Sequence, residues 1–202
     1  MKKSERVLRE LLIGVIKRKE KFSQKELAKK CKVSIGLVNQ IIKKLEQIGV
    51  VQIFPKGLRI IDPNKLLFHW AAHRSIKKEL EGFYIPKSPE EIEKTLPNCV
   101  IFTAFSGWKL LTGRTPADYR EVIVYVPKKD RAVIEAWLKE KKPRRGLENF
   151  FVVYTEDIHL IKNSHKNIAP LPQIFVDLYS LASISSKYFI KDILEKYPGF
   201  KL

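Results

Sequence analysis

What this chain is short of narrows it quickly. It has one methionine, two cysteines and nine glycines in 202 residues, and its 39 lysines and arginines outnumber 22 acidic side chains. Cys31 and Cys99 make neither a disulfide framework nor a zinc-ligand spacing, so both read as small buried apolar groups. No apolar run reaches the ~18 residues that a bilayer span requires. The opening MKKSERVLRE has a basic start, but charge returns at Glu5, Arg6, Arg9 and Glu10 before any apolar stretch develops. No signal peptide is therefore read, and a cytoplasmic location is expected. A Gly/Ser-rich linker, an internal repeat and a low-complexity segment are all missing. The phrase SGWKLLTG at 106–113 lacks the glycine spacing of a phosphate-binding loop, and no motif calls for a cofactor. His69 and His73 share a helix face at metal-binding spacing. However, Trp70, Ala71 and Ala72 stand between them where a metalloprotease motif needs glutamate, and no third ligand is near, so no metal site is expected.

What is present is a globular composition, 45% hydrophobic, with a net charge of +17. The distribution of that charge is informative. Residues 1–65 hold 17 basic and 6 acidic side chains, a surplus of 11, whereas residues 66–202 hold 22 and 16, a surplus of 6. A basic excess concentrated on one third of the chain is an electrostatic footprint for a polyanion. No amphipathic helix pairs a basic face with exposed aromatics, so no membrane partner is expected.

The most structured signal lies between Phe22 and Ile61, FSQKELAKKCKVSIGLVNQIIKKLEQIGVVQIFPKGLRII. Ser23 and Glu26 have capping-box spacing and open a helix that carries Leu27 and Ala28 inward and ends near Cys31. Ser34 is a second cap. From there Val38, Ile41, Ile42, Leu45 and Ile48 recur at helical spacing until Gly49. Alternating residues from Val50 to Phe54, the turn Pro55-Lys56-Gly57, and Leu58 to Ile61 read as a hairpin. Helix, short turn, helix, hairpin is a winged helix-turn-helix, in which the first helix braces the second for a major groove. The outer face of the second helix is expected to read bases through Ser34, Gly36, Asn39, Gln40 and Lys43. Asn39 and Gln40 are each able to pair with an adenine edge. Lys25, Lys29, Lys32 and Lys44 are expected at phosphates, with Lys56 and Arg59 reaching from the wing. Simple solvent exposure is the alternative for Asn39 and Gln40.

An amphipathic helix precedes this unit, from Ser4 to about Lys19, with Val7, Leu8, Leu11, Leu12, Val15 and Ile16 on its apolar stripe. The domain boundary is expected at Asp62-Pro63, giving a DNA-binding domain at 1–62 and an α/β regulatory or partner-binding domain at 63–202. A joining helix over 63–81 is capped by Asn64 and runs from Lys65 to about Leu80. Ser88-Pro89-Glu90-Glu91 starts a further helix. Strands are expected over Cys99–Phe105, Arg120–Val126, Phe150–Tyr154 and Ile158–Ile161. Helices are expected from Ser106 or Gly107, after Asp130, over QIFVDLYSLA, and from Ser185 or Ser186 to a stop at Pro198-Gly199. The fold class is therefore α+β, a winged helix-turn-helix followed by a small mixed α/β domain. The basic run from Lys139 to Arg145 reads as a solvated loop or as a second nucleic-acid contact.

The order of HWAAHR, a strand and short helix ending in LLTG, a VIVYV strand and Ala169-Pro170-Leu171-Pro172-Gln173-Ile174-Phe175-Val176-Asp177-Leu178 resembles antitoxins of type IV, abortive-infection toxin–antitoxin systems and related archaeal regulators. That resemblance implies a DNA-binding domain that represses its own operon and a second domain that meets a toxin-like protein. The residues themselves point to a sequence-specific regulator that binds double-stranded DNA and is not an enzyme. A nucleic-acid-processing enzyme, using carboxylates among Asp118, Glu121, Asp157 and Asp177, is one alternative. A winged-helix protein-interaction module without DNA binding is the other. No heptad seam is present, so the sequence does not fix an oligomeric state.

Overall fold

The computed structural model describes residues 2–197, which fall into two compact units, 2–74 with 193–197, and 75–192. The expected stop at Pro198-Gly199 lies outside the described residues.

The first unit begins with α1, Lys3–Ile16, whose Val7, Leu8, Leu11 and Leu12 are buried. It stops a turn earlier than its pattern suggested. Val15 is half-buried and Ile16 exposed, and Arg18 turns the chain at φ 56°. Lys2 rather than Ser4 occupies the cap position, with no side-chain cap bond. Helices α2, Gln24–Cys31, and α3, Ile35–Gln47, follow with the turn expected between them. The capping box at Ser23 does not form, because Glu26 turns instead to Lys19 and Lys30. Ser34 Oγ does cap α3, accepting from the Leu37 amide at 3.2 Å. Val38, Ile42 and Leu45 are buried to 1% exposure or less, while Ile41 and Ile48 lie half-buried at the edges of the seam. Helix α1 packs against α2, α3 and a fourth helix, α4, Pro63–His73.

The hairpin consists of β1, Val51–Phe54, and β2, Gly57–Ile60, antiparallel, with Phe54 opposite Gly57 and Pro55-Lys56 at the tip. The sequence did not reveal its third edge. Phe22 pairs with Leu58 through both backbone bonds, at 2.8 and 2.9 Å, and so anchors the wing to the start of the helix-turn-helix. Gly57 makes that approach feasible. Its φ is 147°, and an added Cβ would strike the Phe22 carbonyl. Beyond the hairpin, Asp62 rather than Asn64 caps α4, accepting from the Lys65 amide at 2.8 Å with Pro63 in the first turn. The helix ends at His73, short of Leu80, and a separate 3₁₀ turn occupies Ile76–Glu79.

The second unit is built on a four-stranded sheet of β3, Glu81–Phe83, β4, Ile101–Phe102, β5, Val122–Pro127, and β6, Phe150–Thr155. The order is β3-β6-β5-β4, with β5 and β6 parallel and both outer pairs antiparallel. Parallel neighbours need a crossover, which α7, Arg131–Lys141, supplies. Val122, Val124, Val126, Phe150 and Val152 share a core with Ile92 of α5, Pro89–Thr95, and with Ile134, Trp137 and Leu138 of α7. Helix α5 has the expected cap, with Ser88 and Glu91 bonding each other's backbone. On the other side, α6, Ala104–Thr112, packs on β5 and against α9, Leu171–Leu181. Helices on both faces explain why all six residues of β5 are buried rather than alternating.

Several expectations here are corrected. The strand around Ile101 is cut to two residues because Ala104, at φ 50°, already turns into α6. Asp130 makes no side-chain cap bond, since a 3₁₀ turn at Lys128–Asp130 leads into α7. Ile158–Ile161 is not a strand but lies in α8, Ile158–Asn163. Asp157 starts that helix by accepting from the His159 and Leu160 amides. Helix α10, Ile184–Lys196, has Ser183 Oγ at its start, accepting from the Ser186 amide.

Replacing Gly57 by Ala should lower stability by about 2 kcal/mol, through strain at a positive φ and loss of the close contact with Phe22. Thermal unfolding followed by circular dichroism checks this. Gly113→Ala, at a positive φ with open space around it, should cost less.

Candidate nucleic-acid interface

An α-helix that buries one stripe presents the opposite one to solvent. In α3 the buried stripe is Val38, Ile42 and Leu45, and the exposed stripe is Gly36, Gln40, Lys43 and Gln47, spaced four, three and four residues apart. Three of these were expected as base readers. Gln47 was missed, although its spacing from Lys43 was the available signal. Ile35 was also missed. It stands at the first position of α3 with 51% of its surface exposed, unusual for isoleucine on a polar face.

The other expected readers are less available. Asn39 is half-buried on the flank of α3, and its Nδ2 donates to Gln24 Oε1 of α2 at 3.2 Å. Its amide therefore ties the two helices together. The Ser34 hydroxyl accepts from its own helix. Gly36 meets nothing within 4 Å of an added Cβ, so internal packing places no demand on it.

The cations around α3 divide into paired and unpaired. Lys19 Nζ lies 2.6 Å from both Glu26 oxygens, and Lys30 Nζ bridges Glu26 and Glu10 at 3.0 Å each. Lys25, Lys29, Lys32, Lys43, Lys44, Lys56 and Arg59 are exposed and make no ion pair or side-chain hydrogen bond among the described residues. These are the cations expected at phosphates and on the wing, together with Lys43 of the base-reading set. Beside the hairpin lies an open cavity of about 420 Å³, lined by Lys21, Phe54, Pro55, Lys56, Gly57, Leu58 and Arg59. Three cations over an apolar floor suit a sugar–phosphate chain.

The histidine pair has a local role. His73 Nδ1 lies 2.7 Å from the His69 carbonyl, and the rings sit 4.7 Å apart. Burial and the neighbouring His73 push the His69 imidazole below its ordinary value. Among the carboxylates considered for catalysis, Asp157 caps α8 and Asp177 accepts from Thr103, Tyr125 and Gln173 inside the second unit. Both therefore do structural work.

Asn39→Ala should cost about 1 kcal/mol of stability by losing a helix–helix hydrogen bond, whereas Gln40→Ala should stay within about 0.5 kcal/mol of the parent. Paired thermal melts distinguish them. Hydrogen bonds from Lys19, then Lys30, hold the Glu26 carboxyl below the usual range. Its folded pKa lies below its unfolded one, so its stabilisation is complete above about pH 5 and fades as pH falls through the folded value. The melting-temperature gap between parent and Glu26→Gln should therefore be present at neutral pH, vanish in acid, and shrink in high salt because the pair is partly exposed.

Residues 7–52 match the family described as winged helix-turn-helix DNA-binding. That span runs from α1 through α2 and α3 to Gln52 of β1, the elements that build the exposed α3 stripe. No curated protein and no solved structure matches the chain. The first unit thus carries a winged helix-turn-helix of the DNA-binding kind.

Proposed function

We propose that this protein is a sequence-specific, double-stranded-DNA-binding transcriptional regulator acting in the cytoplasm, with α3 in a major groove and the wing beside it. The observation that carries this reading is the solvent-facing stripe Gly36, Gln40, Lys43 and Gln47, flanked by cations that have no partner among the described residues. Gln40 suits a bidentate contact to adenine, and Ile35 suits the methyl group of thymine. Lys25, Lys29, Lys32 and Lys44 flank the stripe as phosphate contacts, and Lys56 and Arg59 extend it along the wing. Asn39 reads a base only by giving up its bond to Gln24, so its main part is to set the angle between α2 and α3. Residues 1–62 serve the DNA, and the region beyond them serves regulation. The resemblance of the chain to type IV antitoxins supports autorepression and a toxin-like protein partner for the second domain.

Selection of duplexes from a random pool tests the reading. The full chain should enrich a defined site, and Gln40→Ala should lose about 1–3 kcal/mol of its discrimination at a single base pair. Enrichment of no sequence, with chelator-sensitive strand cleavage, would favour the enzyme instead. Failure to bind any duplex at low salt would favour a protein-interaction module.

A further inference from the structure

The basic run Lys139-Glu140-Lys141-Lys142-Pro143-Arg144-Arg145 lies at the end of α7 in the second unit and plays no part in the reading above. Most such runs are solvated loops. Three observations set this one apart.

The loop is fixed at both ends. The Arg144 amide donates to the Tyr84 carbonyl at 3.0 Å. Asn149 is buried, and its Oδ1 accepts from the Ile85 amide at 2.9 Å. Its Nδ2 donates to the Ile85 carbonyl at 2.8 Å and the Lys87 carbonyl at 3.3 Å. Gly146 lies against the Tyr84 ring, where a Cβ would collide. The loop is therefore clasped to residues 84–87 and presents a fixed ledge.

The cations on the ledge are uncommitted. Lys141 is the exception, with Nζ 2.7 Å from Glu140 and 5.7 Å from the centre of the Trp137 ring. Lys139, Lys142, Arg144 and Arg145 are exposed and make no ion pair or side-chain hydrogen bond among the described residues. Lys87, also exposed, joins them, since its carbonyl accepts from Asn149 Nδ2 in the clasp itself.

Of the nearby carboxylates, Glu140 is held by Lys141, and Glu148, which lies against Gly82 of β3, leaves a single negative charge against these cations. Like charges gathered on a fixed support repel one another, and a ligand with regularly spaced negative charge relieves that repulsion. Duplex DNA carries one such charge per ~1.7 Å of axis.

We propose that Lys87, Lys139, Lys142, Arg144 and Arg145 form a second nucleic-acid site, which grips the sugar–phosphate backbone of a duplex and adds affinity without sequence preference. This rests on the reading that α3 binds duplex DNA. Phosphates position a protein whereas base edges specify it, so the ledge and the α3 stripe separate experimentally.

The experiment compares three full-length proteins over a range of KCl concentrations, on the duplex recovered by selection and on a scrambled one. They are the parent, a variant with Lys139, Lys142, Arg144 and Arg145 changed to Ala, and Gln40→Ala combined with Lys43→Ala. Each phosphate contact contributes about 0.9 to the slope of log affinity against log salt, so the ledge variant should lose roughly 3 to 4 from that slope on both duplexes. Its preference for the selected duplex should stay unchanged. The α3 variant should lose the preference, which tests the regulator reading by itself. Exchanging lysine and arginine at the four ledge positions should restore the parent slope, which sets charge apart from damage to the fold. A slope unchanged in the ledge variant overturns the proposal while leaving the regulator reading intact. Loss of binding to poly-glutamate in that variant would then assign the ledge to an acidic protein. A parent chain that binds neither duplex overturns both.

Discussion

The apolar seam of α3 is the constraint on which the interface depends. Val38, Ile42 and Leu45 are buried almost completely, and each such side chain contributes about 1.5–3 kcal/mol relative to exposure. Their removal from water fixes the rotation of the helix about its axis. Once that rotation is fixed, the face bearing Gly36, Gln40, Lys43 and Gln47 has only solvent to face. The presentation of groups toward DNA is thus a by-product of burying the groups behind them. Around this seam, α1 acts as the hub by packing on α2, α3 and α4. Phe22 gives the hairpin a third strand partner, so the wing is held at the same body as the helices.

Charge in this unit is divided rather than merely abundant. Glu26 and Glu10 take up Lys19 and Lys30 in a network that joins α1 to α2. Lys25, Lys29, Lys32, Lys43, Lys44 and Lys56 make no ion pair among the described residues. Exposed pairs of this kind contribute little to stability, so their main effect is on which cations remain available. The buried ion pair between Glu5 and Arg74, at 3.7 Å, belongs to a different class. Breaking one partner of such a pair leaves an uncompensated charge in the interior.

The second unit follows another design. Its sheet is covered on both faces, one by α5 and α7 and the other by α6 and α9. One side is almost wholly apolar. The other carries a hydrogen-bonded cluster in which Asp177 accepts from Thr103 at 2.7 Å and from Tyr125 at 2.6 Å, with Gln173 bridging Tyr125 and Asp177. A satisfied polar cluster of this kind fixes how α9 sits on β5, because any slip breaks several bonds at once. Such an arrangement specifies a fold. It does not name a ligand, since function resides in particular sites rather than in architecture.

Local chemistry was enough to determine much of this protein. Helical spacing gave α3 and the stripe of α1, the capping signal at Ser23 gave the start of α2, Gly49 and the Ser34 cap gave the limits of α3, and Pro55-Lys56-Gly57 gave the hairpin. Ser88-Pro89 and Glu91 gave the start of α5, and the runs at β5 and β6 were legible as strands. Elsewhere tertiary structure decided. Ser23 lost its box because Glu26 found two lysines, one of them brought from the end of α1 by packing. Ile158 to Ile161 went into a helix because Asp157 found two amides to accept from, a competition that an apolar run cannot reveal. The short β3 was invisible because three residues carry no period, and it exists only because β6 offers an edge. In the candidate site, the positions of Gln40 and Lys43 followed from period alone. That Asn39 is bound to Gln24, and that the cations at the end of α7 and in the loop after it stand on a clasped ledge, depended on residues distant in sequence meeting in space.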